Sequence, residues 1–255
     1  MKRPIQTLLT FSGILALALT SHAANLYTSG HGDIGVAYED GALFLHGHLG
    51  ANAIVNGVPV GGDDGEEFLP GDFTIVVPAG QRFPDPGGTY GPTGAGGGDL
   101  WILPQTQVAE VPFLGMATEE LDPADWVNGA ITFSLVSVSA PGGGEFSMWQ
   151  SGLFGDPVFV FSTFDPGSTV AGNSLILSAG THAHYNFGFT KPGIWEVTFT
   201  VSGTHVTDGF VSDTGTFRFA VVPEPTVSGL AISGGLGALA AARRRRSARR
   251  PCLKR

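Results

Sequence analysis

The chain has 255 residues, of which 14% are charged, 10% are aromatic and 39 are glycine. An average soluble domain is about 25% charged and about 7% glycine. The low charge excludes a coiled coil, and the aromatic content, with 18 Phe, excludes a disordered chain. Residues 24–222 hold three basic residues (Arg82, Lys191 and Arg218) against 21 acidic ones, a net −18 with His neutral. That field repels nucleic acid and attracts cations.

The chain opens with a positive pair, Lys2 and Arg3, an apolar stretch over 8–19 and the small-x-small tripeptide Ser21-His22-Ala23. This order predicts a secretory signal peptide over residues 1–23, with an uncleaved N-terminal anchor as the alternative. An exported chain is expected beyond it, with its main domain over 24–221.

Within that domain the patterning is that of strands. Residues 34–38 and 43–48 flank Glu39-Asp40-Gly41, which predicts a hairpin with Gly supplying a positive φ. Short β-rich runs follow at 73–77, 100–103, 157–161 and 174–177. Ile131, Phe133 and Leu135 mark another strand, and residues 196–202 and 216–221 alternate polar and apolar with period two. No long stretch has the helical period. One short helix is predicted over 118–126, where Glu119 and Glu120 fall early in the turn. Residues 80–99 carry eight Gly and read as a mobile surface loop, with smaller loops at 61–71 and 141–144. Many short strands separated by Gly/Pro turns predict an all-β fold, a β-sandwich of Ig-like or jelly-roll-like type.

Five histidines fall in two local clusters: His31 with His46 and His48, and His182 with His184. His-x-His on a strand puts both imidazoles on one face, because side chains alternate. Ala183, Tyr185 and Phe187 are then expected to face the core, leaving His182, His184 and Asn186 together. Neutral imidazole is the commonest metal ligand. His31, Asp33, His46, His48, His182 and His184 are the candidate ligands of one joint site, with Zn or Mn the expected metal. Glu39 and Asp40 are further carboxylates in reach along the sequence, and His205 is isolated. The alternative for these histidines is surface pairs or aromatic fillers with satisfied ring nitrogens. The single cysteine, Cys252, lies in the tail, so the domain is expected to have no disulfide.

The C-terminal segment combines Val222-Pro223-Glu224-Pro225, an uncharged run over 226–242 and the cluster Arg243, Arg244, Arg245 and Arg246. Seventeen apolar-to-small residues sit at the short limit of a membrane span, about 17–25 residues. The Arg cluster would remain cytoplasmic. This order over 222–255 resembles the PEP-CTERM sorting signal. The resemblance implies export in a Gram-negative bacterium, recognition by an exosortase, transient membrane anchoring and display at the cell surface or in the extracellular matrix. A plain tail anchor is the alternative.

A second resemblance covers most of the domain. The run Gly30-His31-Gly32-Asp33-Ile34-Gly35-Val36-Ala37-Tyr38-Glu39-Asp40-Gly41, followed by Leu43-Phe44-Leu45-His46-Gly47-His48, is similar to the opening of the choice-of-anchor M domain. Asp99-Leu100-Trp101-Ile102-Leu103-Pro104-Gln105 and Val111-Pro112-Phe113-Leu114-Gly115 resemble its middle. Its close resembles Ala179-Gly180-Thr181-His182-Ala183-His184-Tyr185-Asn186-Phe187-Gly188 through Trp195, a motif also found in an actinobacterial surface-anchored repeat. Phe187 stands where the family often has Trp, and the long Gly-rich loop is a further departure. The resemblance implies a surface-displayed module paired with interchangeable anchors and associated with ABC transporters of the metal-uptake type.

Three functions follow as expectations. The first is a non-enzymatic, surface-anchored metal-binding module. The second is a structural or adhesive protein of an exopolysaccharide matrix, with Tyr90, Trp101, Trp126 and Trp149 as candidate sugar-stacking rings. The third is a metal-dependent hydrolase, for which Asp33 or Glu39 would be the base. No nucleophile elbow or zinc-protease helix motif accompanies that third possibility.

Overall fold

The computed structural model describes residues 25–164 and 173–224. The expected leader, Pro225, the uncharged run and Arg243 to Arg246 lie outside the described residues. No described helix is long and apolar enough to cross a membrane.

The described chain is built from seventeen strands. These are β1 (Asn25–Glu39), β2 (Ala42–Leu49), β3 (Ile54–Val55), β4 (Val58–Pro59), β5 (Glu66–Phe68), β6 (Phe73–Val77), β7 (Arg82–Pro84), β8 (Asp99–Leu103) and β9 (Pro112–Ala117). They continue as β10 (Ala130–Ser139), β11 (Phe146–Ser151), β12 (Pro157–Ser162), β13 (Ser174–Ser178), β14 (His182–His184), β15 (Asn186–Phe189), β16 (Gly193–His205) and β17 (Gly209–Val221). The larger sheet runs β13-β10-β16-β17-β6-β1-β2-β5, with β9 pairing β1 and β14 pairing β9. The smaller sheet runs β12-β11-β15-β8-β7.

Period-two patterning produces the core. On β16, Trp195, Val197, Phe199 and Val201 are fully buried, and on β17 so are Phe217 and Phe219. The intervening Thr residues face outward and pair across the strands, Thr198 with Thr216 at 2.9 Å and Thr200 with Thr214 at 2.7 Å. The inner face meets the smaller sheet through aromatic contacts. Phe161 packs on Phe199 at 5.6 Å between ring centroids, and Phe189 packs on Phe219 at 5.1 Å and on Trp195 at 5.3 Å. Each fully buried Phe contributes roughly 1.5–3 kcal/mol of transfer free energy. Trp101 and Trp126 are buried in this packing, and Trp149 is buried against Tyr90 and Phe159. Of the four rings expected as sugar platforms, Trp101 and Trp126 are therefore core residues, whereas Trp149, though buried, lines a cleft beside Tyr90.

Strand β1 serves two parts of the larger sheet. Its first residues, Asn25 to Tyr27, pair in parallel with β6, whereas Gly32 to Glu39 pair antiparallel with β2. Gly30 lies between them at φ +87°, where a Cβ would collide with the backbone of Asn52 and Ala53. The hairpin turn falls on Asp40 and Gly41, both with positive φ, and brings Glu39 opposite Ala42. That is the twist-compatible turn the sequence predicts.

Residues 118–126 form no α-helix. Thr118 to Leu121 make a turn closed by the Leu121 amide on the Thr118 carbonyl at 3.0 Å, and only Pro123–Asp125 form a short 3-10 turn. Pro123 disfavours a helical Asp122, which is extended instead and caps the Ala124 amide. Residues 80–99 are a pinned segment rather than a loose loop. Asp85 accepts hydrogen bonds from the Gly87 and Gly97 amides, and Thr93 is fully buried.

Candidate metal-binding face

The outer face of β5-β2-β1-β9-β14 collects the chemistry. Register places Glu67 opposite His48, His48 opposite Asp33, Asp33 opposite Gly115 and Gly115 opposite His184. One straight row therefore crosses five strands. Flanking it, Gly35 lies opposite His46, Ala117 opposite His182 and His31 opposite Phe113. The even-numbered residues Ile34 and Val36 of β1 point the other way into the core.

Small residues make room on this face. A Cβ on Gly35 would come within 2.8 Å of His46 Nε2, and a Cβ on Gly115 would overlap the Asp33 carboxylate. The imidazole and the carboxylate thus lie across neighbouring backbone, where only Gly leaves space.

The six predicted ligands separate into two groups with Asp33 between them, not one joint site. In the first, one ring nitrogen each from His31, His182 and His184 lie within 4.8 Å of one another. Their ring centroids are 5.1 to 5.9 Å apart. His31 and His182/His184 come from β1 and β14 and reach over β9 from either side. His182 Nδ1 donates to Glu119 Oε1 at 2.5 Å, which leaves Nε2 as its lone-pair nitrogen. A carboxylate that fixes the tautomer in this way is a common outer-shell partner of a ligating histidine. His184 stacks on Phe113 at 3.6 Å and is half-buried, with Nδ1 lacking a hydrogen bond of ordinary geometry. Burial pushes His184 down to about 4, opposed by the Leu114 backbone and reinforced by His31 and His182, so the ring is neutral at pH 7.

Asp33 is 2% exposed. Its Oδ2 lies 3.4 Å from His31 Nε2, and its Oδ1 is buried without a hydrogen-bond partner. Burial raises its pKa, against the pull of His31 and His182. An ionised carboxylate with an orphaned oxygen is costly unless a cation or donor meets it.

The second group is His46, His48, Glu67 and Glu120, whose ligand atoms again lie within 4.8 Å of one another. His46 is 4% exposed. Glu67, Glu119 and Glu120 are not among the ligands expected from the sequence, where Glu119-Glu120 satisfies the rules for a helix start. In the turn that actually forms, consecutive residues diverge, Glu119 to His182 and Glu120 to His46 and His48.

Other candidates fall elsewhere. Glu39 and Asp40 sit at the exposed hairpin turn, outside both groups. Asn186 does not join His182 and His184. The strand breaks at the buried Tyr185, and Asn186 turns to the smaller sheet, where its side chain bonds Gln105. His205 stacks on Tyr38 at 4.5 Å and meets Asp208, at the far hairpin. Of the residues expected to form a sorting motif, Val222 donates its amide to the Val77 carbonyl at 2.9 Å, Pro223 is exposed, and Glu224 pairs with Arg82 at 2.8 Å. A separate cleft of about 630 Å³ is lined by Phe83, Asp85, Tyr90, Trp149, Ser151 and Asn186, among others.

No protein-family model matches the chain, and no curated protein or solved structure matches it.

Proposed function

We propose that this chain is an exported, surface-anchored, non-enzymatic module that binds a divalent transition metal at His31, His182 and His184, with Asp33 as its carboxylate. The observation that carries this is the convergence of three imidazoles beside a buried carboxylate oxygen that has no partner. Three nitrogens and one carboxylate oxygen suit Zn and are compatible with Mn. The net −18 of residues 24–222 favours cation capture. On this reading the domain is a choice-of-anchor M module of Ig-like or jelly-roll-like type. Its signal peptide directs export, its PEP-CTERM tail is the exosortase substrate, and a metal-type ABC transporter is its partner.

The test is elemental analysis of the purified chain beside a His182→Ala/His184→Ala variant. Near-stoichiometric Zn or Mn in the parent and none at this site in the variant is the expected result. A folded parent that takes up no metal on dialysis would refute the reading.

One observation favours a second reading, a structural or adhesive component of an exopolysaccharide matrix. Tyr90 and the exposed Phe83 share their cleft with Asp85, Ser151 and Asn186, and aromatic faces with polar neighbours suit a sugar ring. Retention on exopolysaccharide in the presence of chelator, lost in Tyr90→Ala, is what that reading requires.

A further inference from the structure

We infer that a second, separate divalent cation is held by His46, His48, Glu67 and Glu120. The inference rests on reading this face as a metal-binding surface, but it uses none of the residues of the first site.

The convergence of four ligand atoms within 4.8 Å of one another carries it. His48 Nδ1 and His46 Nε2 both point at one atom, Glu120 Oε1, at 3.5 and 3.0 Å. Without an ion, His46 Nε2 donates to that carboxylate oxygen. A cation would take the place of this proton. The opposite nitrogens can then keep theirs, because His48 Nε2 lies 3.0 Å from the Asp64 carbonyl and His46 Nδ1 lies 3.4 Å from the Phe44 carbonyl, and a carbonyl only accepts. Glu67, opposite His48 across β5 and β2, supplies a fourth ligand atom within the same 4.8 Å span.

The backbone prepares this arrangement. Gly35 leaves the space in which the nearly buried His46 ring lies. Backbone carbonyls orient both imidazoles, as outer-shell acceptors do at metal sites. Glu120 is delivered by the turn that Thr118 anchors. Two nitrogens and two carboxylate oxygens form a harder donor set than the first site and suit Zn²⁺ or Mn²⁺. The first group straddles β9, and the second lies over β2 and β5. The two groups share no residue, and Asp33, the carboxylate beside the first, faces His48 of the second across β1 and β2. The face therefore offers two ion sites with separate ligand sets.

The experiment is equilibrium dialysis of the full chain against Zn²⁺ and, separately, Mn²⁺, with ions counted by elemental analysis. Both glutamates are exposed, so Glu67→Gln/Glu120→Gln preserves shape, and circular dichroism checks the fold. Two ions in the parent, one in Glu67→Gln/Glu120→Gln and one in His182→Ala/His184→Ala is the expected pattern. One ion in the parent, kept in the glutamate variant and lost in the histidine variant, overturns the second site and leaves the first standing. One ion lost in the glutamate variant and kept in the histidine variant supports the second site and refutes the first. A parent that binds neither metal overturns both, and the convergent nitrogens then carry protons.

Discussion

Gly115 on β9 lies directly beneath Asp33 on β1, so that any β-carbon at position 115 would overlap the Asp33 Oδ1 atom. The buried carboxylate owes its place to the absence of one methyl group. Gly115→Ala is expected to destabilise the fold by about 1–3 kcal/mol, the usual range for overpacking. Because the overlap is with one oxygen, Asp33→Ala/Gly115→Ala should recover part of the loss, with a coupling of about 1 kcal/mol or more in a double-mutant cycle. Denaturant unfolding of the four proteins measures it, and simple additivity would refute this account.

A cation bound only by the native state raises stability by mass action, about 2.7 kcal/mol at a hundredfold excess over Kd. For a domain of this size that corresponds to a Tm increase of roughly 5–10 °C. Thermal melts with Zn²⁺, then with chelator added, should show the increase and its reversal. Asp33→Asn keeps the shape and removes the charge, and should cut the increase by more than half. An undiminished increase in Asp33→Asn would remove the carboxylate from the site.

Thr118 anchors the turn that carries Glu119 and Glu120. It is fully buried, and its hydroxyl lies 2.6 Å from the Ser178 carbonyl and 2.9 Å from the Thr181 carbonyl while accepting from the Thr181 amide. Thr118→Val removes the acceptor of the Thr181 amide, while the Ser178 and Thr181 carbonyls keep the Thr181 hydroxyl and the Thr118 amide as donors, at a cost of about 1–3 kcal/mol. The same change should weaken metal binding at both groups, since each draws a glutamate from this turn. Calorimetric titration checks this, and loss of stability with unchanged affinity would show that the turn does not position the ligands.

The Tyr38 hydroxyl donates to Asp208 in a short hydrogen bond, and that bond, with burial adding to it, pushes Tyr38 up to about 12. The folded pKa lies above the unfolded value of about 10. The stabilisation is therefore complete below pH 10 and is lost as pH rises through about 12. Tyr185, also raised to about 12 by burial, acts in the same window. Melting curves between pH 9 and 12 should show Tyr38→Phe losing less stability than the parent across that interval. Parallel profiles would contradict the assignment.

Where local pattern decides structure, the sequence is legible. Asp40-Gly41 marks the β1–β2 turn, residues 73–77 coincide with β6, and the alternation in 196–202 and 216–221 correctly assigns the buried side of β16 and β17. His46 with His48 and His182 with His184 share a face because strand geometry requires it. The partition into two groups is not legible, because it depends on which strands become neighbours. Strand β9, buried on both faces at Leu114, Gly115, Met116 and Ala117, shows no alternation. It pairs in parallel with β1 across some eighty residues of intervening chain. Asn186 has the parity of His182 and His184, but it belongs to the other sheet because the strand breaks at Tyr185. Glu119 and Glu120 satisfy the rules for a helix start, yet Pro123 and the buried Thr118 select a turn.

The first-site ligands come from opposite ends of the domain, His31 and Asp33 from its first strand and His182 and His184 from β14. An ion bound there ties together two points about 150 residues apart in the chain, as a disulfide would. Cross-links closing loops of that length remove unfolded-state entropy worth roughly 5 kcal/mol in the chain-entropy model. The only cysteine, Cys252, lies beyond the domain. An ion at this site would therefore act as a reversible staple, closing only once both ends of the domain have folded together, and opening wherever the surroundings compete for the metal.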